Sequence, residues 1–339
     1  MAHDATSSAP SARSADLVGG LLALGLVAWC ALAAGAGAGD AQPQVTLIVA
    51  SGLVLALGRW VSEREPLAAY RLIAIGVAGA VVLTWPGMLR AGGPPLGYAN
   101  ANAALSATGA WAALTLADAT PRPARVGWAV GVVGLVAATV ATGSTAAGLC
   151  LAWSAVLLAA SVLARRPVVV ILGGAISVVF VALGTIAIAR GANPAGLGGR
   201  AGVRQDLWAA AYDVAADHPV RGVGVGELMA HHPVSTDPDL RWAHHEYLQQ
   251  AAETGLVGAA LMVGIVGWAY ARLALAARCA PRRAACGAAA LTTVALHATV
   301  DHVLHEPAVV LTLAMLVGAA TARPPRPGPG TRGSRRPPP

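Results

Sequence analysis

The chain has 339 residues, 56% of them apolar and only 12% charged, with a formal net charge of +7. So few charges cannot cover a soluble surface of this size, and most of the chain is therefore expected to face lipid; a disordered chain, a coiled coil and a disulfide-stapled secreted domain are excluded on the same numbers. The positive charge is all arginine, scattered among apolar runs without the basic stripe and interleaved aromatics of a nucleic-acid surface, so no nucleic-acid partner is expected.

Ten apolar runs approach the roughly 20 residues a helix needs to cross a bilayer. In chain order they are 17–38, 45–61, 70–88, 99–117, 126–142, 145–163, 168–189, 252–275, 284–302 and 304–322. Their length and lack of alternation make them helices, not barrel strands. The second is short. The fourth opens with Ala99, Asn100, Ala101 and Asn102, whose amides belong at membrane depth only when packed against protein. The first has an alternative reading as a signal peptide cleaved near Ala36, Gly37 and Ala38.

Arginine marks one side of these spans. Arg13 precedes the first; Arg59, Arg64 and Arg71 follow the second; Arg122 and Arg125, Arg165 and Arg166, and Arg272, Arg278, Arg282 and Arg283 mark the later connections. Arg90 alone stands on the short opposite loops. The positive-inside rule then puts both termini in the cytoplasm and residues 190–251 outside. The expected organisation is a disordered N-terminus (1–16), seven spans (17–189), one large extracytoplasmic loop (190–251), three spans (252–322) and a disordered Pro- and Arg-rich tail (323–339), with no internal repeat. The fold class is an all-α polytopic membrane protein of about ten spans.

The large loop concentrates polar chemistry. It holds His218, His231, His232, His244 and His245, together with Arg190, Arg200, Arg204, Arg221 and Arg241. Residues 203–216 repeat apolar positions at helical spacing, and Pro219 ends that helix. Residues 221–226 form a glycine-rich turn. No strand precedes it, so it does not read as a dinucleotide fingerprint. A second helix is expected from about Leu240 into the eighth span, setting Arg241, His244 and Leu248 on one face. His245-Glu246 and His305-Glu306 each miss the second histidine of a zincin motif, and the four cysteines lack zinc spacing, so no metal is expected. Asp301, His302, His305 and Glu306 cluster at an outer helix corner, where ionisable groups are functional candidates.

His218-Pro219, Gly222-Val-Gly224 and the block from His244 through Tyr247, Leu248, Glu253, Gly255 and Gly258 resemble the O-antigen ligase and O-antigen polymerase superfamily. Arg204-Gln-Asp-Leu-Trp208 resembles the family's Arg-x-x-x-Trp at the start of the large loop, and 97–102 its Asn-Pro-Asn span opening, with Ala101 in the proline position. His245 stands where the family usually has Asn or Ser. Gly143-Ser144-Thr145 departs from the family's Ser-Arg, so either another loop arginine takes that role or the activity differs.

The resemblance implies a GT-C-like, metal-independent and cofactor-free glycan transfer at the outer face of the cell membrane. The donor is an undecaprenyl-diphosphate-linked oligosaccharide, and the acceptor is a glycan, lipid or protein hydroxyl. Such a reaction needs cations for the departing diphosphate and a base for the hydroxyl. Guanidinium groups suit the first and an imidazole, whose ordinary pKa lies near neutrality, the second. Arg204 is the first choice for the cation, with Arg200, Arg221 and Arg241 in reserve, and His244 for the base. Tyr247, Asn102 and Glu253 are candidate substrate contacts. Their plainer readings are an interfacial belt residue, an interhelical hydrogen bond and a helix cap. A transporter or flippase of polysaccharide precursors is the competing class, though transporters usually show repeated halves and mid-membrane charge. A membrane sensor is a third.

Overall fold

A computed structural model describes residues 8–34, 40–90, 92–191, 200–231, 233–234 and 242–323. The regular elements among them are helices: α1 (Ser8–Ala34), α2 (Gln42–Arg64), α3 (Ala68–Thr84), α4 (Ala99–Ala119), α5 (Arg122–Ala141), α6 (Thr145–Leu163), α7 (Val168–Ala189), α8 (Arg200–Asp217), α9 (Leu228–His231), α10 (Glu246–Ala276), α11 (Pro281–His297) and α12 (Pro307–Ala320), with short 3-10 turns at Gly87–Leu89 and Val303–His305. Six of these helices, α1, α2, α5, α6, α7 and α10, are long and apolar enough to cross a membrane. Two more, α3 and α12, are apolar but shorter. The chain is a polytopic all-α membrane protein. The tail expected at 323–339 falls almost wholly outside the described residues.

The bundle is layered by composition. Leucine- and valine-rich α5, α6 and α7 leave their large side chains exposed on the outside, as a lipid solvent requires. At the centre lie α4 and α11, built largely of Ala, Gly, Ser and Thr and buried along almost their whole length. Small residues let backbones approach closely, and hydroxyls then bond across or back along the helices. Trp111 Nε1 on α4, for example, donates to Thr293 Oγ1 on α11 at 3.0 Å. Asn102 of α4 is likewise satisfied within the protein. Asn102 Nδ2 donates to Gly93 O at 2.9 Å, and its Oδ1 accepts from Leu96 N at 3.1 Å, so the amide is satisfied by the loop that precedes the helix.

Ion pairs gather the arginine-rich helix ends. Asp16 on α1 accepts Arg59 of α2 at 2.8 Å and Arg272 of α10 at 2.9 Å, and Asp118 of α4 accepts Arg282 of α11 at 3.0 Å. The polar cluster described below lies at the opposite ends of these helices.

The long helix α10 is broken. Gly255 sits at φ 69° and ψ −179°, which no helix permits. A Cβ there would stand 2.1 Å from Val220 O, so only glycine fits. A break inside a membrane helix leaves backbone groups that must find partners within the protein. The glycine-rich turn supplies them: Val223 N donates to Ala252 O, Gly224 N to Glu253 O, and Pro219 O accepts from Leu256 N. Thr254 O takes Trp29 Nε1 from α1 at 2.7 Å. The turn at 219–226 is thus a backbone splint for the broken helix.

Candidate active site

The start of α10 differs from the sequence expectation in one respect. The helix begins at Glu246, not near Leu240, because His245 caps it: its Nδ1 accepts from Leu248 N at 3.2 Å. His244 is consequently off the helix, at φ 51°, and shares no helical face with Leu248. A β-carbon in this left-handed region is strained, and such residues persist only where the surroundings hold them. Three contacts do so. Trp208 Nε1 on α8 donates to His244 O at 3.2 Å, Glu246 N donates to Ala298 O at 2.9 Å, and His245, fully buried, meets Thr185 Oγ1 of α7 at 2.7 Å through Nε2. With Nδ1 accepting, that Nε2 carries the proton. Burial pushes the His245 imidazole down to about 4, so it stays neutral.

The His244 ring reaches a buried carboxylate. Its Nδ1 lies 3.8 Å from Asp301 Oδ2, 3.3 Å from His302 Nδ1 and 3.5 Å from the Tyr98 hydroxyl. Asp301 follows α11 and is fully buried. Tyr98 OH donates to its Oδ1 at 2.5 Å and His302 N at 2.8 Å. Arg204 donates through one terminal nitrogen to its Oδ2 at 3.1 Å and through the other to Val300 O at 3.2 Å, while Asn100 Nδ2 also donates to Oδ2. Burial alone would raise the Asp301 pKa; hydrogen bonds and charge, His244 first among them, outweigh it and hold the carboxyl well below its ordinary range. Tyr98 is driven the other way by burial and by Asp301, and remains a neutral donor. Burial pushes His302 down to about 3 despite the carboxylate beside it. The polar side-chain contacts of His244 in this cluster are made by Nδ1.

His244, Asp301 and His302 bring ligand atoms within 4.8 Å of one another, close enough for a metal ion. The donor set is already spent. Both Asp301 oxygens hold hydrogen bonds from Tyr98, Asn100, His302 and Arg204, and a cation there would have to displace a guanidinium. The arrangement instead sets an imidazole beside a buried carboxylate, 3.8 Å away.

Residues 130–263 match the family model described as O-antigen ligase. This stretch belongs to the O-antigen ligase family. No curated protein matches the chain. The matched O-antigen ligase segment runs from α5 into α10 and contains Arg204, Trp208, His244 and Glu253. Its Arg-x-x-x-Trp element has a local meaning in this structure: four residues apart on α8, Arg204 bonds Asp301 and Trp208 bonds the His244 carbonyl. Ser144 of the departing Gly-Ser-Thr element caps α6, accepting from Ala147 N at 3.3 Å. Tyr98, Asn100, Asp301 and His302 lie outside the matched segment.

The other candidates scatter. Arg221 is exposed on the turn that splints α10. Arg200 opens α8 with its side chain outside the described residues, as are Arg241 and His232 altogether. Tyr247 is buried against α11, its hydroxyl donating to Ala295 O at 3.4 Å. Asn102 secures the loop before α4. Glu253 is buried and takes a hydrogen bond from Gln249 Nε2. The residues of the 97–102 element that were not assigned to the site are Asn100 and Tyr98, two and four positions before Asn102. The signal was a tyrosine and an amide at the same outer helix end as an Asp-His pair.

Proposed function

We propose that the chain is a membrane glycosyltransferase of the ligase or polymerase type, moving a glycan from an undecaprenyl-diphosphate carrier to an acceptor hydroxyl. Membership of the O-antigen ligase family supports the coarse reading. The observation that carries the finer one is the His244 ring, held at Nδ1 by the Asp301 cluster and beside Arg204. His244 Nε2 takes the acceptor's proton as its oxygen attacks the anomeric carbon. The carbon–oxygen bond to the diphosphate breaks, and the electron pair leaves with the phosphate oxygen. Arg204, whose side chain is 33% exposed, faces that growing charge, with Arg200, Arg221 and Arg241 as further cations and no metal required. Tyr247, Asn102 and Glu253 shape the surroundings of the site.

In this reading ten helices span the bilayer in a GT-C-like arrangement, α4 and α11 being spans sheltered from lipid. The arginine-rich ends and both termini face the cytoplasm, and residues 190–251 form the outer loop. The test replaces the chromosomal copy with His244→Ala. The expected result is loss of the finished glycan and accumulation of its oligosaccharide on the lipid carrier, at unchanged protein level in the membrane. Normal glycan from that strain overturns the proposal.

One observation favours a transporter instead: α10 is a discontinuous helix, the device transporters use at binding sites. Purified protein in liposomes that moved lipid-linked saccharide between leaflets, equally in the wild type and His244→Ala, would decide for that class.

A further inference from the structure

A cavity of about 810 Å³ lies between two packed helix pairs, α1 with α10 and α2 with α12. Its lining follows one face of α2 from Gln44 to Glu63. At 1.5 Å per residue that is about 28 Å of helix, close to the thickness of the hydrocarbon core. Between Leu47 and Ala56 the walls are mainly apolar, with Asp16, Arg59 and Glu63 at the far end, and a slot so shaped takes a lipid chain.

At the end beside the His244 cluster the lining changes to Gln44, Glu246, Gln250, Glu253, Trp242 and His305. Glu246 pairs with His305 at 3.0 Å and accepts from Leu304 N at 2.7 Å, which fixes its carboxylate at the mouth. Gln44 Nε2 donates to Gln250 Oε1 at 2.6 Å, while Gln44 Oε1 is buried without a partner. A buried unpartnered acceptor is costly and is satisfied by a ligand that donates. A diphosphate has only acceptors at neutral pH and finds no guanidinium among the described residues of this mouth, where the carboxylate of Glu246 is already paired with His305. Sugar hydroxyls donate, and an indole offers a surface for the apolar face of a sugar ring.

We propose that this cleft seats the acceptor: a lipid-anchored, uncharged, hydroxyl-bearing sugar. Its tail lies in the apolar slot, its hydroxyls meet Gln44, Glu246 and Glu253, and the diphosphate donor is confined to the Arg204 side of His244. The proposal rests on the glycosyl-transfer reading, but its test needs no turnover, so either can fail without the other.

The test is photo-crosslinking of the full chain in phosphatidylcholine nanodiscs. The probes are an alkyl glucoside and an alkyl phosphate carrying the same diazirine in the chain. The glucoside should label α2, α10 and α12 about tenfold more than the phosphate, the discrimination that one or two hydrogen bonds supply. A Cβ at Gly52 or Gly20, both lining the cleft, meets nothing within 4 Å. Gly52→Phe should therefore fold and cut glucoside labelling about tenfold by filling the slot. Gly20→Phe, on the facing helix, gives the same reading independently. Gln44→Leu with Glu253→Gln should keep labelling and erase the preference between probes. Equal labelling by the two probes in the wild type, or labelling undiminished in both glycine variants, overturns the assignment.

Discussion

His245 supplies a cap and a tautomer, and both can be tested one atom at a time. His245→Ala removes the acceptor for Leu248 N, which costs about 1–2 kcal/mol for an N-cap and releases the strained backbone of His244. His245→Asn restores the cap without the link to Thr185. The expected order of activity and of melting temperature is wild type, then Asn, then Ala; equal values for Asn and Ala would contradict the cap. This accounts physically for a histidine where the family uses Asn or Ser, since each offers a short acceptor to the same amide. Asp301→Asn keeps the shape of the cluster and removes its charge. Turnover should fall about 10²–10⁴-fold with little change in KM, because positioning and charge for a general base act in the transition state. The ion pair of His305 and Glu246 gives a pH signature. Burial alone would depress this imidazole; Glu246, with Glu253 and Glu306 behind it, outweighs burial and holds it up at about 9. A raised histidine pKa stabilises fully below the ordinary value of roughly 6.5 and loses that contribution as pH rises through about 9. The melting temperature of the wild type should therefore exceed that of His305→Gln near pH 6 and converge with it above pH 9. A gap that widened with pH would contradict the pairing.

At the scale of elements, the broken α10 and its glycine-rich splint stand or fall together. Gly255→Ala forces a Cβ onto Val220 O in a left-handed conformation, so the variant should lose stability by about 1–3 kcal/mol or more and accumulate poorly in the membrane. Trp29→Phe removes one donor from Thr254 O and should cost about 1 kcal/mol, read as a lower melting temperature. Normal yield and melting of Gly255→Ala would mean the break is dispensable. Most helices were legible from hydropathy, and α6 and α7 begin and end where the apolar runs at 145–163 and 168–189 do. The start of α10 was not, because the cap is an imidazole, a residue that capping preference does not favour. Nor was the break, since the glycines of the block, Gly255 and Gly258, do not by themselves signal a left-handed backbone inside an apolar run. Of the site, Arg204 and His244 were visible in motifs that keep arginine and histidine at a helix start. Their meeting point on Asp301 was not. It brings together α4, α8 and α11 over separations of 97 and 201 residues, which no local pattern encodes.

For the whole molecule, the proposed topology has the arginine-rich ends in the cytoplasm and the His244 cluster at the opposite face. Cys279 is the exposed cysteine of the connection between α10 and α11, whereas Cys30 and Cys286 are buried. A membrane-impermeant maleimide should label Cys279 in inside-out vesicles and not in intact cells; the reverse pattern would invert the topology. In the proposed reaction an oriented imidazole at one end of this bundle activates an acceptor hydroxyl. The most direct measurement of that step is single-turnover glycan transfer by purified, reconstituted protein from a lipid-diphosphate donor. His244→Ala should retain the wild-type melting temperature and donor binding yet transfer at least about 10²-fold more slowly. Transfer at the wild-type rate by that variant would contradict the account.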